Sequence, residues 1–257
     1  MPAPDRLSDA QLDALDRDGF VVVPDFVPHD LLQALRTRIA EVAAAEGERA
    51  GHEFKHEAGA LRLANCVDKG EPFERAVAMP AILQAVGHVL GPAFKLSSLN
   101  VRTALPRNGI AQPLHCDMAA VPDERGAWVC NVIWMLDDFT PDNGPTRAVP
   151  GTHRTGRLPD APSLPGEVRI TGRAGTVVVM NAHLWHGGDA NQTDRPRTAL
   201  HSFYCRADKP QQQYQKRLLR PETQARLSPG LRRLLALDDP ENDRLSADVG
   251  VVSGFLR

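Results

Sequence analysis

Cysteine is scarce in this chain: Cys66, Cys116, Cys130 and Cys205 are four in 257 residues, and none sits in C-x-x-C spacing. Neither a disulfide framework nor a zinc ribbon is indicated, and the four read as small buried apolar residues. No stretch is long and apolar enough to span a bilayer. The opening MPAPDRLSDAQLDALDRDGF carries acids where a secretory leader would carry a basic head and an apolar core. A cytoplasmic location with no membrane partner is expected. Charge of one sign is also missing, since 30 Lys+Arg face 32 Asp+Glu for a formal net charge of −2. That balance argues against nucleic acid as a partner and leaves a small-molecule substrate as the better expectation; oligomeric state is not readable. Repeats and low-complexity runs are absent too, so 1–257 reads as a single domain.

What is present divides the chain by character. Ser8 opens LSDAQLDALDRDG and Gly19 closes it, the pattern of a capped helix. Phe20 to Val23 is a β-branched strand bounded by Pro24. Residues 28 to 48 place Leu31, Leu32, Leu35, Ile39 and Val42 on one helical face. Residues 49 to 60 are polar and contain glycine, and Pro80 to Leu90 predicts another helix ended by Gly91. From residue 93 onward come short β-rich runs, KLSSLNVRTAL, AQPLHCD, WVCNVIWML, GTVVVMNAHLWH and RTALHSFYCR, separated by turn-forming residues. Such spacing predicts a sandwich or barrel over about 93–207, on an N-terminal helical support over about 1–92. A helical segment over about 208–257 is expected to pack outside it. The fold class is α+β.

The chemistry is expected in the β half. In a strand, alternation sends His115 and Asp117 of the H-x-D triplet to one face and Cys116 to the other. His186, in NAHLWHGG after the apolar run ending at Met180, offers a third ligand. Two histidines and one carboxylate with open positions are the facial arrangement of non-haem Fe(II) oxygenases. Eleven residues further, Arg197 starts another strand, where a guanidinium can grip a carboxylate through two parallel hydrogen bonds. Neighbouring Arg195, before Pro196, reads as a solvated turn charge. His153, His183 and His201 are possible pocket residues, and Trp128, Trp134 and Trp185 read first as packing.

A rival signal lies in the polar stretch. His52-Glu53-Phe54-Lys55-His56 matches H-E-x-x-H, in which two histidines one helical turn apart bind zinc, with Glu74 as a third ligand. A zinc metallopeptidase is the alternative this raises. The flanks ERAG and EAGA lack the apolar face a buried catalytic helix needs, and a polar loop or lid at the pocket mouth is the favoured reading.

Taken together, DGFVVVPDFV, QPLHCD, NVIWMLDDFTPDNGPTRAVPGTHR, AGTVVVMNAHLWHGG and DRPRTALHSFYCR resemble the phytanoyl-CoA dioxygenase family of Fe(II)/2-oxoglutarate-dependent oxygenases. The resemblance implies a double-stranded β-helix, or jelly roll, with iron inside one end. It matches His115, Asp117 and His186 to the metal ligands and Arg197 to the arginine that pairs with the distal carboxylate of 2-oxoglutarate. Gln112 and Asn131 match residues that contact the co-substrate in natural-product-tailoring relatives; satisfying buried backbone groups is an equally weighted role for both. Fe(II), 2-oxoglutarate and O₂ are the implied cofactors. The implied reaction is hydroxylation of an unactivated C–H bond in a small molecule, with a secondary metabolite favoured. Desaturation, epoxidation and cyclisation are variants of that outcome, and a catalytically silent ligand-binding relative is a further alternative.

Overall fold

In the computed structural model, residues 4–54 and 56–248 are described. Helix α1 (Asp9–Asp18) begins where Ser8 and Gln11 exchange side-chain and backbone hydrogen bonds, and it ends on Gly19 at φ 83°. Strand β1 (Phe20–Val23) follows directly, and α2 (His29–Glu46) buries the five apolar residues read from the sequence. After β2 (Ala60–Leu63), α3 (Glu71–Val77) and α4 (Pro80–Leu90) each carry proline in their first turn, where its missing N–H costs no intrahelical bond. Then come β3 (Phe94–Ala104), β4 (Val129–Met135), β5 (Thr146–Ala148), β6 (Val168–Ile170), β7 (Val177–Asn181), β8 (His186–Gly188) and β9 (Arg197–Arg206).

These strands form two antiparallel sheets, of order β1-β7-β4-β9-β3-β2 and β6-β5-β8. They are the opposed layers of the expected jelly roll. The two faces of the larger sheet differ, because side chains alternate along each strand. Outward-pointing Leu99, Val101, Val132, Trp134, Val177, Val179, Leu200 and Tyr204 join the buried faces of α2 and α4 in one apolar cluster. The two polar tips in it are satisfied: Trp134 Nε1 donates to Ser202 Oγ at 2.9 Å, and Tyr204 Oη donates to Val77 O at 3.0 Å. The inner face carries Ile133, Met135, Val178, Met180 and Ala199 in a second cluster with Phe139, Ala148, Ile170 and Leu184. Beside that cluster the inner face turns polar, and the cavity lies there.

One expectation needs correction, and two are given their detail. AQPLHCD is not a strand: His115 alone makes a β-bridge, to His186, and Asp117 opens a short 3-10 turn. Pro106, Pro113 and Gly109 keep residues 105–114 irregular. The C-terminal segment is helical as expected, in four short helices, α5 (Gln215–Leu218), α6 (Pro221–Arg226), α7 (Pro229–Leu234) and α8 (Pro240–Ser246), the last three restarted at a proline. Residues 249–257 of that segment lie outside the described residues. The 52–54 part of the H-E-x-x-H match lies in turns and Lys55 is outside the described residues, so no helix presents the two imidazoles to one zinc. Glu53 is instead ion-paired to Lys69 at 2.6 Å.

All four cysteines are free and buried. No helix among the described residues is long and apolar enough to cross a membrane. Leu35 is fully buried between α2 and the sheet cluster. Leu35→Ala is expected to lower unfolding stability by about 3 kcal/mol through lost transfer energy and a residual cavity, read as a shift in the urea midpoint. A loss under about 1 kcal/mol would show that this contact between helix and sheet does not support the fold.

Candidate metal centre

The site is assembled by backbone pairing between two non-adjacent segments. His115 N–H donates to His186 O at 2.8 Å and His186 N–H donates to His115 O at 2.9 Å, which places the two imidazoles side by side with ring centroids 4.5 Å apart. Upstream, Gln112 N–H donates to Gly188 O at 2.8 Å, and Arg147 Nη2 on β5 donates to Gln112 O at 2.6 Å. Close approach of this segment to β8 requires Gly187, where a Cβ would stand 2.8 Å from Gln112 O.

Each imidazole is oriented the same way. His115 Nδ1 is 2.9 Å from Pro113 O and His186 Nδ1 is 2.9 Å from Leu184 O; a carbonyl only accepts, so Nδ1 carries the proton on both rings. The Nε2 lone pairs are left for a metal. Nε2 of His115 and of His186 lie 3.8 and 3.6 Å from Asp117 Oδ1. The three ligand atoms fall within 4.8 Å of one another, and no other such cluster of His, Cys, Asp or Glu occurs among the described residues. Asp117 Oδ2 accepts from Asn131 Nδ2 at 2.9 Å, which turns Oδ1 toward the imidazoles. Burial alone would raise the Asp117 carboxyl, but in the metal-free protein His186 and His115 in their charged imidazolium form, together with the Asn131 amide, hold it well below the usual carboxylate range; a metal at Nε2 takes the place of those protons. The chain turns sharply just past this ligand, with Met118 at φ 59° and Ala119 at φ 52°, a strained conformation for residues with a side chain.

Arg197 lies deeper in the same cavity of about 530 Å³. Its guanidinium stacks over the Phe139 ring at 4.1 Å and donates Nη2 to Gly144 O, while Nε is buried without a partner. No carboxylate pairs with it among the described residues. Burial, aided by the neighbouring charge of Arg102, pushes its pKa down to about 9. A buried cation of this kind is costly unless an anion arrives to meet it.

Gln112 spends both ends of its amide on protein, donating Nε2 to Glu57 Oε1 and accepting the Gly188 N–H, each at 3.1 Å. Asn131 gives Nδ2 to Asp117 and keeps Oδ1 buried and unpartnered. One further residue, Glu57, escaped sequence reasoning, and His183 was named there only among the pocket candidates. Glu57 binds Arg62 and Arg102 in the cavity wall, beyond reach of any local pattern. His183 donates Nδ1–H to Ala120 O at 3.1 Å and accepts the Trp128 N–H on Nε2 at 3.0 Å, so it ties together both ends of the loop that follows Asp117. Its one legible sign was proximity to His186. His201 lines the cavity, and His153 packs against the end of α1.

The comparisons with known proteins fit this geometry. Residues 15–199 match the family described as phytanoyl-CoA dioxygenase (PhyH). The chain belongs to the phytanoyl-CoA dioxygenase family. With that membership come the enzyme class, a dioxygenase, and its requirements, Fe(II), 2-oxoglutarate and O₂. Dioxygenase af480 of Aspergillus fumigatus is 30% identical over 164 residues, 62% of this chain but only 52% of that protein. L-proline trans-4-hydroxylase of Streptomyces griseoviridis is 25% identical over 225 residues, 74% of this chain and 83% of that protein. Among solved structures, EctD from S. alaskensis with 2-oxoglutarate and 5-hydroxyectoine superposes with a TM-score of 0.67 at 22% identity, covering 78% of this chain and 76% of that one. This likeness establishes the shared fold.

His183 also sets a pH dependence. Burial pushes its pKa down to about 4, so below about 6.5 the unfolded chain takes up a proton that the folded chain refuses. Stability is therefore lost as pH falls from about 6.5 toward 4, and this group alone removes about 2 kcal/mol between pH 7 and pH 5. In His183→Gln, which can still donate and accept, the drop in urea midpoint between those pH values is expected to shrink. An unchanged drop would show that His183 is protonated in the folded protein.

Proposed function

We propose that the protein hydroxylates, or otherwise oxidises at an unactivated C–H bond, a small organic molecule, as one oxygenase domain spanning the chain. His115, Asp117 and His186 hold Fe(II), and Arg197 receives the distal carboxylate of 2-oxoglutarate. The supporting observation is the convergence of two imidazole Nε2 atoms and one carboxylate oxygen in the same cavity as a buried arginine that lacks an anion. The residues fit the cofactors by their chemistry: mixed nitrogen and oxygen donors with open positions suit Fe(II), and the Arg197 Nε–H and cationic charge suit a carboxylate.

Bound iron with 2-oxoglutarate and O₂ supplies an oxidant for the C–H bond, while 2-oxoglutarate is converted to succinate and CO₂. The chain's own residues supply position and electrostatics. The Pro113 and Leu184 carbonyls fix both imidazoles as Nε2 ligands, and Asn131 steers Asp117 toward them. Phe139 and Gly144 hold Arg197 extended into the cavity. The strained Met118-Ala119 turn puts both residues in the cavity wall, and the His183 tie fixes the ends of the loop that follows. Hydroxylation is the default outcome, and the hydroxylase and dioxygenase relatives favour it. A secondary metabolite or an amino acid fits the range of substrates that their names indicate.

Anaerobic addition of Fe(II) and 2-oxoglutarate is expected to raise a visible charge-transfer band that Asp117→Ala lacks. Wild-type succinate formation by Asp117→Ala would remove the assignment. Arg197→Ala is expected to weaken 2-oxoglutarate binding about a hundredfold, on the scale of losing one partner from a buried charge pair, with the band recovered at high co-substrate. An unchanged midpoint in the 2-oxoglutarate titration would exclude Arg197 from that role. Oxygen consumption separates an active enzyme from a silent ligand-binding relative.

A further inference from the structure

A second cationic centre lies beside the metal site on the inner face of the larger sheet. Arg62 on β2 and Arg102 on β3 are directly opposite one another, a repulsive arrangement that requires an anion between them. Glu57 is that anion. Its Oε2 accepts Nε and Nη2 of Arg62, and its Oε1 accepts Nε and Nη2 of Arg102, at 3.0 and 2.7 Å for Arg102. Burial would raise the Glu57 carboxyl, but Arg102 and Arg62 hold it down to about 2, so it stays ionised. Arg62 and Arg102 both line the cavity with side chains only 11% and 7% exposed, and neither makes a second ion pair among the described residues.

The loaded site therefore has one positive charge left over, and its location can be assigned. Fe(II) with Asp117 and one carboxylate of 2-oxoglutarate is neutral, and so is Arg197 with the other carboxylate. Arg62 and Arg102 share the single charge of Glu57. Each guanidinium spends Nε and Nη2 on it, and Nη1 of each has no partner among the described residues. One step along the inner face, Asn100 and His201 are also directly opposite one another, and Asn100 Oδ1 and His201 Nε2 are both buried without partners. Buried polar atoms of this kind are normally satisfied. The two acceptor-capable groups lie between the arginine pair and Asn131, which orients the metal ligand.

We infer that Arg62 and Arg102 form an anion subsite for the primary substrate, and that this substrate is a small carboxylic acid with a hydrogen-bonding amino or hydroxyl group near its carboxylate, met by Asn100 and His201. The inference rests on the oxygenase reading above. A carboxylate is the fitting anion because the pair already holds one in Glu57, each guanidinium directing Nε–H and Nη2–H at one of its oxygens. Acyl groups masked as esters or amides would leave the extra cation buried and unpaired.

The test uses enzyme loaded anaerobically with Fe(II) and 2-oxoglutarate, titrated with the L-amino acids and in parallel with their carboxamides. Perturbation of the charge-transfer band is followed, and the thermal midpoint of the metal-free protein is followed with the same compounds. At least one acid is expected to act at a concentration about tenfold or more below its amide, the scale of one charge-assisted hydrogen bond. Arg62→Gln is expected to weaken that acid's response about tenfold or more on the same basis. Arg62→Lys should restore part of the response, and the 2-oxoglutarate titration should keep its midpoint in both variants. Amides equal to acids, silence from both sets, or an acid response indifferent to Arg62→Gln overturns the proposal. A band that never forms overturns the metal assignment itself and takes the subsite with it.

Discussion

The reciprocal pair of backbone hydrogen bonds between His115 and His186 is the constraint on which the rest of the site depends. It joins an irregular segment to the edge strand of the smaller sheet, and every later placement inherits its register. A one-residue slip would send one imidazole to the far side of the pairing. The contacts around it guard against that slip: Arg147 holds the Gln112 carbonyl, Gly187 admits the neighbouring chain, and two carbonyls set the imidazole tautomers. Asp117 enters the cluster without strand geometry because its own N–H is held by Ala182 O at 3.0 Å.

The larger sheet serves two incompatible environments by alternation alone. Its outer face is close-packed against α2 and α4, and a fully buried Trp134 lies at the centre of that cluster. Its inner face holds three arginines, two asparagines and a histidine in the walls of one cavity. Polar groups this deep cost stability unless they are paired. The unpartnered atoms at Arg197, Asn100, Asn131 and His201 mark where the fold gives up that stability to keep a site ready for ligands.

Much of this was legible in the sequence. Helices α1, α2 and α4 announced themselves through caps and apolar periodicity, and β3, β4 and β9 through β-branched runs between turn residues. The H-x-D triplet, the later histidine and the arginine eleven residues beyond it were readable by spacing, and the structure brings all four side chains to one cavity. What was not legible is long-range. Strands β5 and β6 are three residues each, too short for any period to show. AQPLHCD has a strand-like composition, yet its pairing partner lies seventy residues away and takes only one residue of it. Glu57 sits in a stretch that resembled a metal-binding helix, and its real partners, Arg62 and Arg102, are set by sheet register and not by sequence distance. His183 had no mark to separate it from other histidines because its two partners are backbone groups.

The cysteines acquire meaning from where they lie. Cys116 precedes Asp117 and borders the cavity, and burial raises its thiol to about 12, with the Asp117 charge adding to the effect; Cys66 is raised to about 12 and Cys205 to about 11. Oxidants attack the thiolate and not the thiol. The sulfur that lines this cavity is thus held in its protonated form, the one that reagents selective for thiolates leave untouched.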